Sequence, residues 1–256
     1  MENLNLGISA SVFRFVNGAR NDSIGYCIIK GATGAGAGLI HFGSASASEN
    51  NQNITIANNE ISGSGNNRPV NVIFSSIGTG VGTINATVTN NNIYNFFRPN
   101  VASNGIILGS GSTGWTISGN SFYQTTPFNT TANVAYNVIY ISNNAASGTG
   151  INFNITGNYI GGNAPLATGT WTKGGNFDNA FTGIFINTFK PTTPAAPNGS
   201  LLSNTIRNIT WTNSGSATWT GIHIQGGMTN IGGPGATDGN IIGEPTGPIN
   251  LTAGVN

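Results

Sequence analysis

Charge is what this sequence has least of. Eight Lys and Arg and seven Asp and Glu amount to 6% of 256 residues, against roughly 25% in a typical soluble domain. The net charge is +1 and no run of Lys or Arg occurs, which excludes the basic footprint of a nucleic-acid or membrane-surface binder. Cysteine is as scarce. Cys27 stands alone, so neither an internal disulfide nor a cysteine-based metal site can form. No apolar run approaches the ~20 residues that span a bilayer, so no membrane-spanning helix is expected. No 3.6-residue apolar period appears, and the Gly-rich connections would not sustain crossover helices. The opening MENLNLGISA lacks the basic start and apolar stretch of a signal peptide. The composition is that of an exported surface protein, so a secreted or cell-surface bacterial location is expected, with the natural N-terminus removed from this sequence.

What is present is turn chemistry and short strands. Gly alone contributes 39 residues, and hydrophobic content is 38%, too high for the core-poor composition of disorder. One phrase recurs: NITIANNEIS from Asn53, NATVTNNNIY from Asn85, GWTISGNSFY from Gly114 and NFNITGNYIG from Asn152. Its anchor is an Asn, at Asn59, Asn91, Asn120, Asn158, Asn204 and, more weakly, Asn240. Five residues before it stand Ile54, Ala86, Trp115, Phe153 and Gly199. Three before it stand Ile56, Val88, Ile117, Ile155 and Leu201, and two after it Ile61, Ile93, Phe122, Ile160 and Ile206. Such alternation places those positions on one face of a strand and the residue between them on the other. The polar gap around the Asn then turns the chain.

A second phrase sits between the anchors: GLIHF, VNVIFS, NGIILG, NVIYIS, TGIFIN and TGIHIQ, each a short β-branched strand. The anchors are 32, 29, 38, 46 and 36 residues apart. A unit of this size cannot bury its own apolar face and must stack on its neighbours. In this the chain resembles the right-handed parallel β-helix repeat family, as found in bacterial surface adhesins and polysaccharide-active proteins. The resemblance covers residues 24 to 250, and NIGGPGATDGNIIGEPTG is written like a coil of such proteins. It implies an all-β solenoid of about six to seven coils, one domain over 1–256, with 1–23 a lead-in or edge coil and 24–250 the repeats. Parallel crossovers are right-handed as a general rule. No polar cap is evident at either end, so a fragment of a longer solenoid with flanking domains, or ends covered by a partner, is expected.

Stacking assigns the Asn a structural role: turned inward, it can bond corner backbone and the Asn of the next coil, and Asn tolerates the left-handed conformation of a sharp corner. The outward position four before it reads Thr55, Thr87, Thr116, Asn154 and Ser200, a small polar ladder. The uneven coil lengths argue against an ice-binding face there. On the second strand the outward position reads His41, Ile73, Ile107, Tyr140, Phe185 and His223, apolar where water is expected. Such a stripe is covered by loops or contacts a glycan or another protein. Length variation collects after the Asn, at 14 to 27 residues to the next second strand, against 13 to 19 on the other side. Binding residues gather in such loops. The two longest inserts, from Tyr123 and from Gly161, hold Tyr123 and Trp171 as candidate platforms and Lys173 and Asp178 as candidate polar contacts. Tyr140 and Phe185 complete the ligand-binding set.

Catalysis has little to stand on. Glycoside hydrolysis needs two carboxylates ~5 to 10 Å apart, and the seven acids share no register column; Glu60 stands alone in its own. The paired-Asp, Gly-His-Gly and Arg-Ile-Lys signatures of polygalacturonase-like enzymes are absent. Asp238 in TDGN reads as a turn residue, and no cofactor or metal is expected, with a loop Ca²⁺ left open. The expectation is a structural or adhesive module that binds a polysaccharide or a surface protein. The alternatives are a carbohydrate-active enzyme of the β-helix class and a virus tail fibre or spike.

Overall fold

The computed structural model describes residues 2–3, 11–43, 49–65, 67–75, 82–144, 150–190, 199–244 and 246–252. Of the expected lead-in, residues 1 and 4–10 lie outside them. The recurring phrase forms a three-residue strand held between two left-handed residues. In the coil of Asn59 these are Asn53 and Asn58, at φ 56° and 58°, on either side of the strand Thr55–Ala57. The leading column continues as Asn85, Gly114 and Asn152, and the trailing one as Asn90, Gly119, Gly157 and Ser203. Only Gly, and Asn with its short self-bonding side chain, enters this region readily. The left-handed residue is thus the one before the anchor Asn. The anchor itself was expected to take it; it is turned inward and buried, as expected, and leaves the left-handed conformation to its neighbour.

Stacking of these units gives a parallel β-helix, consistent with right-handed winding. Every strand pairing among the described strands is parallel. Sheet one has seven strands, including Thr55–Ala57, Thr87–Thr89, Thr116–Ser118, Asn154–Thr156 and Ser200–Leu202. Thr55, Thr87, Thr116, Asn154 and Ser200 lie in one outward column, as expected. Sheet two follows the anchor and includes Glu60–Gly63, Asn92–Tyr94 and Ser121–Tyr123. Sheet three holds the second phrase, from Phe13–Phe15 and Ile40–Phe42 to Phe181–Thr188 and Trp219–Gly226. A further four-stranded sheet, Phe128–Asn129, Trp171–Gly174, Ile209–Thr212 and Ile249–Thr252, lies in sequence between sheets two and three. The two longest inserts supply its first two strands. The core is continuous and widens there into an aromatic cluster of Phe96, Phe97, Phe128, Tyr136, Trp171, Phe181 and Trp211, all buried.

The anchor Asn residues form an unbroken chain of hydrogen bonds. Asn59 Nδ2 donates to Asn91 Oδ1 at 2.9 Å, Asn91 to Asn120 at 2.9 Å, Asn120 to Asn158 at 3.0 Å, Asn158 to Asn204 at 2.9 Å and Asn204 to Asn240 at 2.9 Å. The other Nδ2 hydrogen reaches back to the preceding coil: Asn120 Nδ2 donates to Val88 O at 2.9 Å and Asn158 Nδ2 to Ile117 O at 2.9 Å. Each Oδ1 also accepts the backbone N–H of the anchor one coil before, as from Asn91 to Asn120 at 3.0 Å. From Asn91 onward every buried ladder amide therefore has at least two acceptors for its Nδ2 hydrogens and two donors to its Oδ1, which fills its capacity. Cys27 holds the corresponding place in the preceding coil, where its N–H donates to Asn59 Oδ1 at 2.9 Å.

Removing one link orphans buried partners on both sides, and a buried unpaired polar group costs ~1–3 kcal/mol. Asn120→Ala is therefore expected to lower stability by about 3 kcal/mol or more, read as a fall in the urea midpoint. Asn53, whose amide bonds Asn21 Oδ1 at 3.1 Å in an exposed position, should lose ~0.5 kcal/mol or less as Asn53→Gly, since Gly keeps its left-handed backbone. Equal losses at the two positions would contradict the ladder's role.

Candidate functional site

The outward row of sheet three is set by strand register. His41 pairs with Phe74, Phe74 with Ile107, Ile107 with Tyr140, Tyr140 with Phe185 and Phe185 with His223. Ile73, expected in this row, instead pairs with Ile40 and Ile106 and is fully buried; Phe74 takes its place. A signal for this was present. Asn71, Asn104, Asn137, Thr182 and Thr220 are in register, and the outward residue is three after each. Their amides form a second ladder, Asn104 Nδ2 to Asn71 Oδ1 at 2.8 Å and Asn137 Nδ2 to Asn104 Oδ1 at 2.9 Å.

The row's rings pack on one another. Tyr140 and Phe185 lie 4.5 Å apart at an interplanar angle of 10°, a spacing close to the ~4.8 Å between strands. His41 stands edge-on to Phe74 and His223 edge-on to Phe185, each at 5.1 Å. Phe185 keeps 8% of its surface, so its faces are taken by neighbours in the row, while Tyr140 is half-buried. Burial, with Arg14 in register beside it, holds the His41 imidazole below the ordinary histidine range, so the imidazole is neutral at neutral pH.

The insert residues sit elsewhere than expected. Trp171 has no exposed surface and packs 5.9 Å from Phe96, 5.4 Å from Phe97 and 5.9 Å from Phe181. The reason is period-two alternation within the insert: Trp171 and Lys173 face inward, Thr172 outward, beside Ile209, Thr210 and Trp211. Tyr123 is also buried, stacked on Tyr94 at 5.1 Å and 16°. Burial, with Glu60 and Tyr94 nearby, raises its phenol well above the usual tyrosine range. Neither ring offers a free face, and Trp171→Ala would delete core, at ~3–5 kcal/mol.

Lys173 is fully buried and its Nζ donates to Phe177 O at 2.8 Å, Thr212 O and Asn213 Oδ1 at 3.2 Å, with the Trp211 ring 5.8 Å away. Asp178 accepts the Ala217 N–H at 2.9 and 3.1 Å. Both therefore join loops to the solenoid. Three further acids have similar work. Glu60 accepts from Asn92 Nδ2 at 2.7 Å, Asp238 from Gly235 N at 2.8 Å, as a turn residue does, and Glu244 pairs with Arg207. Among the described residues no group of three His, Cys, Asp or Glu could hold a metal ion.

Burial pulls the Lys173 ammonium down to about 8, against the pull of Asp178 in the other direction. An unfolded lysine titrates near 10.5, so between about pH 8 and 10.5 the unfolded chain binds more protons than the folded one. Stability contributed through this group must rise with pH across that window. Denaturation at pH 7.5, 8.5 and 9.5 is expected to show this rise in the parent protein and its loss in Lys173→Met; identical pH slopes would contradict it.

Comparison of the chain with protein-family models, with curated proteins and with solved structures returns no match.

Proposed function

We propose that the chain is a structural and adhesive β-helix module of a secreted or cell-surface bacterial protein, holding loops that contact a glycan. The observation that carries this reading is the employment of the carboxylates. Glu60 is bonded to the strand residue Asn92, Asp178 to a loop amide, Asp238 within its own turn and Glu244 to Arg207, and in register Glu60 has Ile28 and Asn92 as neighbours, not a second acid. An acid–base pair across a glycosidic bond needs two carboxylates facing one cleft. The ladder supports the same reading from the other side, since a stack bonded link by link through its interior suits a part that bears load and displays surface. Within the outward row, Tyr140 is a half-buried ring that also carries a hydroxyl, and we assign the contact to it and the loops beside it. Phe185 supports it from behind.

The test is a panel of plant, algal and microbial polysaccharides incubated with the folded protein, read by size-exclusion chromatography and by retention of the protein on the immobilised glycans. Chain lengths are expected to stay unchanged, with retention on at least one glycan. Tyr140→Ala should weaken that retention about two- to tenfold, the ~0.5–1.5 kcal/mol of an aromatic contact. Shortened chains would overturn the reading in favour of an enzyme, and absence of retention throughout the panel would overturn the adhesive part.

A further inference from the structure

Arg68 is a cation without a counter-ion among the described residues. Arg20 and Arg207 both face carboxylates, those of Glu49 and Glu244. Among the described residues the bonded neighbours of Arg68 are neutral: Nη1 donates to Phe97 O at 3.3 Å and to Gln124 Oε1, and the guanidinium carbon lies 5.1 Å from the Phe128 ring centroid. Its Nε and Nη2 donors have no acceptor among the described residues. The placement is specified rather than accidental. Gln124 is fully buried, its oxygen is committed to Arg68, and its Nε2 is left with no partner, an arrangement that costs stability. Burial lowers the Arg68 guanidinium to about 10, so it remains charged at neutral pH. A half-buried charge held this way calls for a compensating anion.

Arg68 lines an open cavity of about 270 Å³ with Pro99, Thr126, Pro127, Phe128 and Asn129. The insert that begins at Tyr123 supplies four of these walls, so the loop singled out by length does form a concave site, through residues other than its tyrosine. The two prolines and the Phe128 ring make apolar sides, while exposed Thr126 and Asn129 carry a hydroxyl and an amide at the rim.

We propose that this cavity binds a small carboxylate monoanion, about the size of one sugar-acid residue. One uncompensated cation matches a single negative charge better than the dianion of a phosphate. The free Nε and Nη2 donors of a planar guanidinium match the two oxygens of a planar carboxylate. The volume falls just under the ~300–1,000 Å³ range of drug-sized ligand pockets, which limits the occupant to one ring. Thr126 and Asn129 are placed for hydroxyl groups on that ring. The inference does not depend on the glycan contact assigned to Tyr140.

Titration calorimetry of the full chain with D-glucuronate, with glucose as the neutral control and inorganic phosphate as a competing anion, tests it. Saturable binding of glucuronate is expected, with glucose and phosphate each weaker by about tenfold or more, the worth of one charge-assisted bond. Arg68→Gln should abolish it. Because that change disturbs a half-buried group, Thr126→Glu provides a second arm: it leaves Arg68 intact and supplies a tethered carboxylate at the rim, which should compete binding away in a protein with unchanged circular dichroism. No saturable glucuronate binding, phosphate binding as tightly as glucuronate, or full binding by a folded Thr126→Glu protein would each overturn the proposal.

Discussion

Everything in this fold depends on a buried amide that can be satisfied only by the coils above and below it. An asparagine in a protein interior is costly unless all of its donors and acceptors are met. Here Asn120 meets them with Asn91 on one side, Asn158 on the other and the Val88 carbonyl. No single coil contains these partners, so an isolated coil would be less stable for having the Asn. The same residue that makes the stack favourable makes its parts unable to stand alone. The apolar positions of sheet one obey the same condition, since Ile56, Val88, Ile117 and Ile155 cover one another column by column.

Much of this was legible in the residues because the constraint is written at a fixed offset. The anchor Asn, the apolar positions around it and the outward Thr column all follow from one alignment, and the structure pairs them as aligned. The left-handed positions were misplaced by one residue because two adjacent Asn, as in Asn58–Asn59, look alike in sequence while one turns the corner and the other enters the core. The exchange of Ile73 for Phe74 has a related cause. Two apolar residues side by side leave the inward one undecided, and only the Asn71, Asn104 and Asn137 column decides it.

The candidate site was harder to read, for a physical reason. Long inserts suggest surface loops, and aromatic residues in a loop suggest contacts. The insert after Asn158 is instead partly a strand, and its WTKG alternation turns Trp171 and Lys173 toward the core. A buried lysine runs against expectation because its cost is met by acceptors from three different residues, two of them, Thr212 and Asn213, supplied by the next coil. Arg68 is the converse. It stands next to Pro69 in an unremarkable loop, and what distinguishes it is a guanidinium held by the buried Gln124 and the Phe128 ring at the wall of a cavity, which register alone does not reveal.

The ladder has one further consequence. Because each link is made anew in every coil, position along the chain is counted by Asn and not by residues. Successive anchors lie 29 to 46 residues apart, yet the strands on either side of each anchor stay in register from coil to coil. An added segment at one corner is therefore forgotten by the next link, and no error accumulates along the stack. A chain indexed in this way can change the contents of its loops coil by coil while its frame stays the same.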